Sequence, residues 1–387
     1  MIQHLIKLIW NKRSTHALVI IEIWASFMVL FGVLSLIVYN LSNYMQPIGF
    51  NYESVWKVDL RANQDTVDID KKLQNIARKL RSYPEIESVT RMSSNTPFSG
   101  NQMSNGFSYN KKDVSPDHYV TDPEFFKTLD LEVIQGKPYS VADRVSKFTP
   151  IVINKATQQK LFEQENPIGK VMKKDKEEMR VVGVVNTFKA KGEFMEDKPA
   201  VFELIGANDT WNNNFLIKIK PGVDAHFEAR LVKDVTAMVK DWGIEVVYLT
   251  DSHQMRTNLT KVPVIIFLVV SGFLLSNVAL GLFGILNLNI AKRKNEIGLR
   301  RAMGSTDGKI MLQFLGEMWV LALFSILLGL LFAIQFPILN VFDMAAHVYI
   351  SAMLGAIVVI FVLVTLCAWY PSRQAAKIQP ASALHEE

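Results

Sequence analysis

The side chains able to do chemistry are scattered along the chain. Seven histidines, at positions 4, 16, 118, 226, 253, 347 and 385, form no H-x-x-x-H or H-x-x-E-H pair that would hold zinc on one helix face. Cys367 is the only cysteine, so one chain can close no disulfide and build no cysteine-based zinc site. Oxidising and reducing compartments both stay open. No G-x-S-x-G elbow presents a nucleophile. No G-x-x-x-x-G-K-[ST] loop can cradle a nucleotide phosphate, since Gly169-Lys170 is followed by Val171 and lacks the upstream glycine. Asp122, Glu124 and Asp130 lie close in sequence and would serve a catalytic external domain, but a solvated loop explains them more economically. No catalytic, cofactor-binding or metal-binding residues are assigned, and the expectation is a non-enzymatic chain.

Two other features stand out. Glu22 is an acid inside a long apolar run, where a charge costs on the order of 3 kcal/mol at the bilayer centre. It lies near one end of that run, so the expectation is that it snorkels or pairs with a basic loop residue rather than lining a transport path. The second feature is Ala291 to Glu317, AKRKNEIGLRRAMGSTDGKIMLQFLGE. Arg293, Glu296 and Arg300 fall at i, i+3 and i+7, with Glu296 four residues before Arg300, the favourable order for a helical ion pair. Gly304 can supply a left-handed stop, Ser305 a new N-cap and Asp307 a first-turn acid. Ile310, Met311, Phe314 and Leu315 then form an apolar stripe, read as a short helix on the membrane surface. Topogenic charges on an interfacial helix would account for the same composition.

The elements that must carry these groups follow from hydropathy. The 387 residues hold 42 Lys+Arg against 37 Asp+Glu, a formal net charge of +5, and are 49% apolar with a mean hydropathy of +0.16, which excludes a disordered chain. Val262 to Ala291, Met318 to Phe342 and Val348 to Tyr370 carry no charge, and Ala17 to Tyr39 only Glu22. About 20 apolar residues suffice to cross the hydrocarbon, so four transmembrane helices are expected. The first is too long for a signal-peptide core and has no small-residue cleavage site after it, so it reads as an anchor. Basic residues flank the spans at Lys7, Lys12 and Arg13, at Lys292 to Lys309, and at Arg373 and Lys377, whereas the segment from Asn340 to His347 has only Asp343. The positive-inside rule then places both termini and the 292 to 310 loop in the cytoplasm, leaving the third-to-fourth connection outside. No basic patch is interleaved with stacking aromatics, so no nucleic-acid partner is expected.

Between the first two spans, alternation predicts strands at Val55 to Leu60, Ile86 to Arg91, Pro150 to Ile153, Arg180 to Val185, Phe215 to Ile219 and Ile244 to Leu249. Helical periodicity predicts helices from Ile69 to Leu80 and from Asp224 to Trp242. The expected fold is a membrane protein with four transmembrane α-helices and a large extracytoplasmic α+β domain inserted between the first and second. Its segments are an amphipathic cytoplasmic-face helix (1–16), the first span (17–40) and the external domain (41–261). A three-span domain (262–370) with the loop 291–316, and a tail (371–387), complete the chain. Asn277, Asn287 and Asn289 could bond between helices, and Gly272, Gly281 and Gly284 would permit close approach.

EIGLRRAMG followed by FLGE closely resembles the signature of the FtsX/MacB-like permease family, the membrane subunits of type VII ABC systems. The ending YPSRQAAKIQPASALHEE is similar to that family's C-terminal pattern. DPEFFKTLDLEVIQGKPY, NPIGKVM and RVVGVVNTFK resemble the MacB-type periplasmic domain. The resemblance implies an ATPase-coupling segment containing Glu296, Gly298, Arg300, Arg301, Ala302 and Gly304, braced by Phe314 and Glu317. It also implies a cytoplasmic tail motif of Pro371, Arg373, Ala375, Pro380, Ala383 and Leu384. In MacB the ATPase is fused ahead of the first span, and this chain departs from that pattern, so ATP would be bound by a separate partner subunit. The implied role is a mechanotransmitting permease subunit of the inner membrane for export or efflux, paired with a second permease chain. A periplasmic adaptor and an outer-membrane channel are further implied partners, besides the membrane lipids. The alternative is an FtsX-type regulator that switches a cell-wall hydrolase and transports nothing. The substrate is not legible.

Overall fold

The computed structural model describes residues 13–207 and 209–378. The expected amphipathic helix from Met1 to Trp10, and Pro380, Ala383 and Leu384 of the tail, lie outside the described residues. The chain divides into two compact units, Asn43–Thr260 and the residues on either side of it. The first helix, α1, runs Arg13–Tyr44.

The Asn43–Thr260 unit is built on one mixed sheet of twelve strands with helices against it. In chain order come β1 (Val55–Arg61), α2 (Ile69–Arg81), β2 (Ile86–Met92), β3 (Phe107–Tyr109), β4 (Lys112–Val114), β5 (Asp117–Thr121), α3 (Phe125–Thr128) and β6 (Val133–Gly136). A 3-10 turn, Val141–Val145, leads to β7 (Thr149–Asn154), α4 (Lys155–Leu161), β8 (Val171–Lys174), β9 (Glu177–Val185), β10 (Ala200–Leu204), β11 (Asn214–Ile219), α5 (Ala225–Met238) and β12 (Gly243–Tyr248). The strand order is β12-β1-β11-β2-β5-β10-β7-β9-β8-β3-β4, with β6 also pairing β9.

One joint in that order is thin. Strands β2 and β5 share a single register pair, Met92 with Thr121, so the sheet splits into two halves there. Over the first half, α2 buries Leu73, Ile76, Ala77 and Leu80 and α5 buries Phe227, Leu231 and Val235, against Val58, Leu60, Phe215 and Ile217. Each such side chain contributes roughly 1.5–3 kcal/mol by leaving water. In the second half the strand period sorts residues to two faces. Val152 and Phe202 join an aromatic core with Phe125, Tyr119 and Phe188, while Ile151, Ile153 and Val201 join Phe107, Met179 and Val181 on the other side.

Helix α5 stops at Met238, earlier than the expected Trp242. Val239 is extended and Asp241 has a φ of 68°, conformations that no α-helix continues through.

After β12 come α6 (Leu249–Lys292), α7 (Lys294–Ala302), α8 (Asp307–Ala333), α9 (Gln335–Ile338), a 3-10 turn (Val341–Asp343) and α10 (Ala346–Ala376). Among the described residues, four helices are long and apolar enough to cross a membrane, within α1, α6, α8 and α10. Several bounds differ from the sequence expectation. Helix α6 opens at Leu249, thirteen residues ahead of the uncharged run. The stretch from Asp307 is no separate surface helix but the first turns of α8. Left-handed Asn340 and Phe342 break the chain before the expected end of the third span, and α10 runs on through Pro371.

Inside this unit Ile23, Phe27 and Phe31 of α1 meet Met318, Leu321 and Ile326 of α8, Ala352, Ala356 and Ile360 of α10, and Val278 and Leu282 of α6. Lipid tails are as apolar as leucine, so packing at small residues decides such contacts. The close approach is at Gly329, where a Cβ would stand 2.3 Å from Phe27 Cδ1. Gly272 and Gly284 have open space around that position, and Asn277 bonds to Phe273 O of its own helix rather than to a neighbouring one.

Candidate functional site

The loop after α6 is where local signals and long-range pairing converge. Helix α6 ends at Lys292 because Arg293, at φ −108° and ψ 15°, leaves helical geometry, and α7 starts anew after it. At the far end of α7, Gly304 has a φ of 90°. Gly304 N donates to Arg301 O and Ser305 N to Arg300 O, both at 3.0 Å. That pair of bonds is a Schellman stop, which needs a residue tolerant of positive φ at its centre. The N-cap position of α8 is Thr306 rather than Ser305, and its side chain makes no capping bond.

Three polar links, Arg293–Glu317, Arg300–Gln313 and Arg301–Asp307, fasten α7 and its N-cap residue to the base of α8. Arg293 Nη1 lies 2.9 Å from both carboxylate oxygens of Glu317, and each side chain is largely buried. Arg300 donates to Glu296 at 2.5 Å, the helical pair its spacing favours, and also to Gln313. Gln313 donates to Glu317 at 3.3 Å, and Arg301 pairs with Asp307. Beneath them Ile297, Gly298, Ile310, Phe314 and Leu315 are buried. The guanidinium groups are therefore consumed within the chain. What α7 and its C-cap residue expose is Leu299 and Met303, 53% and 71% accessible and four residues apart, together with Asn295, Glu296 and Ala302. Sequence reasoning missed this apolar pair, whose signal was two large apolar residues at i and i+4 in an otherwise charged helix. Of the tail residues, Pro371 and Ala375 are buried, Arg373 is exposed, and Ala375 joins the apolar cluster of Ile297 and Phe314.

Glu22 makes no ion pair with a described residue. Its carboxylate lies over Gly281 instead, where a Cβ would stand 2.7 Å from Oε1, so the missing side chain provides the space it occupies.

In the Asn43–Thr260 unit the acids near residue 122 are not one solvated loop. Asp122 is buried, accepting from Thr90 Oγ1 at 2.5 Å, Glu124 N at 3.0 Å and Arg91 N at 3.1 Å. Burial pushes its carboxyl up, with those bonds acting against it. Glu124 is exposed, and Asp130 is held by Lys218 at 2.8 Å. Elsewhere Lys189 is buried, donating to the carbonyls of Asn43 at 2.6 Å and Glu193 at 2.9 Å, and burial pushes its ammonium down. Glu203 sits between His118 at 2.8 Å and Lys174 at 3.0 Å. Burial acts to raise Glu203, but the hydrogen bonds from both partners outweigh it and the net direction is down. Among the described residues no three His, Cys, Asp or Glu are grouped to hold a metal.

Residues 23–233 match the MacB-like periplasmic core domain, and residues 268–380 match the FtsX-like permease C-terminal. The macrolide export ATP-binding/permease protein MacB of Bartonella quintana is 25% identical over 280 residues, covering 68% of this chain and 42% of that protein. An uncharacterized ABC transporter permease of Methanocaldococcus jannaschii is 24% identical over 301 residues, 72% of this chain and 73% of its own. The periplasmic region of MacB from Actinobacillus actinomycetemcomitans aligns with 56% of this chain and 97% of that one, at 16% identity and a TM-score of 0.39. The chain spans less than half the length of the MacB relative it matches. Four apolar helices and an inserted periplasmic core domain mark an inner-membrane protein. The core-domain match alone covers more than half of the sequence, and the chain belongs to the MacB-like ABC permease family, with an FtsX-like region supplying its last three apolar helices.

Proposed function

We propose that the chain is the permease subunit of a MacB-like ABC transporter, driven by an ATPase lying outside these 387 residues and binding no nucleotide itself. Its work is mechanotransmission for export: the ATPase docks on α7, and its cycle is relayed along α6 to the external domain. The observation that carries this reading is the bracing of α7 on α8 by Arg293–Glu317 and Arg300–Gln313, beneath the exposed pair Leu299 and Met303. A stiff helix with an unpartnered apolar edge is a lever with a docking face. The least buried of the four apolar helices is α6, from Val262 to Phe273, which supports pairing with a second permease chain in the bilayer. Both termini and α7 would lie in the cytoplasm. Cysteines at Ser42 and Ala346 in a Cys367→Ser background then react with an impermeant thiol reagent, and one at Ser305 does not.

The test is to recover the tagged chain from its native membranes with its partners. An ABC ATPase is expected to co-purify and hydrolyse ATP, and Leu299→Asp/Met303→Asp to lose it at unchanged permease abundance. ATPase recovery undiminished by that change would overturn the docking face. A periplasmic adaptor among the partners means export, whereas a peptidoglycan hydrolase in its place means the regulatory alternative.

A further inference from the structure

The chain enters the Asn43–Thr260 unit through the last two residues of α1 and leaves it through the first turns of α6. Residues 186–199, between β9 and β10, form neither helix nor strand, yet they touch both.

On the α1 side, Lys189 is buried, with Nζ 2.6 Å from Asn43 O and 2.9 Å from Glu193 O. Asn43 is the penultimate residue of α1, so its carbonyl belongs to the last turn, which lacks intrahelical donors and carries the negative end of the helix dipole. A lysine suits both conditions. Asn43 Nδ2 donates to Phe194 O at 3.1 Å, and the rings of Tyr44 and Phe194 stack with centroids 5.3 Å apart. On the α6 side, His253 Nε2 lies 2.7 Å from both carboxylate oxygens of Glu193, and only 18% and 20% of the two side chains are accessible. Tyr52 packs against the imidazole at 4.5 Å and Phe98 meets it edge-on at 4.9 Å, which fixes the ring in place. Neutral or protonated, the ring can carry the proton that Nε2 donates.

Glu193 is therefore shared between the two helices. Its carboxylate accepts from α6 and its carbonyl accepts from the lysine that holds α1, so bonds of 2.7, 2.9 and 2.6 Å run unbroken from His253 to Asn43. Bonds that involve a charged group are the strong ones, and partial burial spares them from screening by salt.

We propose that Glu193 is a clasp that ties the end of α1 to the start of α6, so that displacing α6 displaces α1 at the same point of the Asn43–Thr260 unit. Use of the clasp as a relay rests on the permease reading, whereas the clasp itself does not.

The test is amide hydrogen exchange on the full chain in lipid nanodiscs, read on peptides covering 44–48, 189–196 and, as the remote control, β11. His253→Phe keeps the ring packing on Tyr52 and Phe98 but removes the donor. It should speed exchange about tenfold in 189–196, the loss of one charge-assisted hydrogen bond, and also in 44–48, which His253 does not touch. Exchange in β11 should stay unchanged. Glu193→Ala should do the same, and the double variant should exchange no faster than either single one, because both act through one contact. His253→Gln, whose amide can still donate to Glu193, should retain the protection. Unchanged exchange in 44–48, faster exchange in β11 as well, additive losses in the double variant, or a loss in His253→Gln equal to that in His253→Phe overturns the clasp. In the complex recovered with its ATPase, ATP should alter exchange in 44–48, and His253→Phe should abolish that response. A response that survives His253→Phe overturns the relay, and no response in the unaltered chain overturns the permease reading of α6 while the clasp stands on the first measurement.

Discussion

Arg293 and Glu317, 24 residues apart, face each other with Arg293 Nη1 2.9 Å from both carboxylate oxygens and only 12% and 15% of the two side chains accessible. The exposed pair Glu296 and Arg300, though closer in sequence, is the weaker of the two links. A double-mutant cycle on Arg293 and Glu317, read by unfolding in mixed micelles, should give a coupling of about 1.5–3 kcal/mol. The same cycle on Glu296 and Arg300 should give about 0.3–0.5 kcal/mol. Equal couplings would show that burial contributes nothing to the brace.

Gly304 has open space where a Cβ would stand, so only its φ of 90° resists substitution. Gly304→Ala should destabilise the unit by about 1 kcal/mol, and Gly304→Asn by less, because asparagine tolerates positive φ. A steric explanation would instead make the larger asparagine the worse of the two in the same unfolding assay.

Gly329→Ala should destabilise by about 1–3 kcal/mol through overpacking on the buried ring of Phe27. Adding Phe27→Leu should recover part of the loss. Gly272→Ala and Gly284→Ala should be neutral, and comparable losses at all three glycines would remove the special status of Gly329.

Asp65 accepts from Lys72 Nζ at 2.6 Å and Trp242 Nε1 at 2.7 Å. The lysine bond first, then the indole bond, hold its carboxyl down at about 2. A folded-state value below the unfolded one contributes stability above pH ~4 that is lost as pH falls toward 2. Asp65→Asn should therefore flatten the stability profile between those limits and leave its slope above pH 5 unchanged. An unaltered acid limb in urea titrations across that range would refute the linkage.

The segment Asn43–Thr260 has apolar cores of its own on both halves of its sheet. Expressed alone it should be soluble and unfold cooperatively, with the same midpoint in chelator as in buffer. A non-cooperative transition, or a midpoint that chelator lowers, would contradict this.

Features that one helical turn or one uncharged run specifies were legible without coordinates. The four apolar helices follow from run length, α2 from the spacing of Leu73, Ile76 and Leu80, and the stop at Gly304 from a glycine after a charged helical stretch. The family resemblance rests on similarly local words. Strands β5 and β10 escaped notice because each is only five residues long and neither DHYVT nor AVFEL alternates apolar with polar residues. Strand β8 escaped as a short segment ending in two lysines. Only the tertiary structure decided that Arg293 takes Glu317, that Asp122 is buried beside Arg81, that Gly329 rather than Gly272 admits a ring, and that Leu299 and Met303 face outward. Each of these depends on which elements meet across the fold. Neighbouring residues along a helix are fixed by its pitch, whereas partners across a core are chosen by the packing of the whole unit.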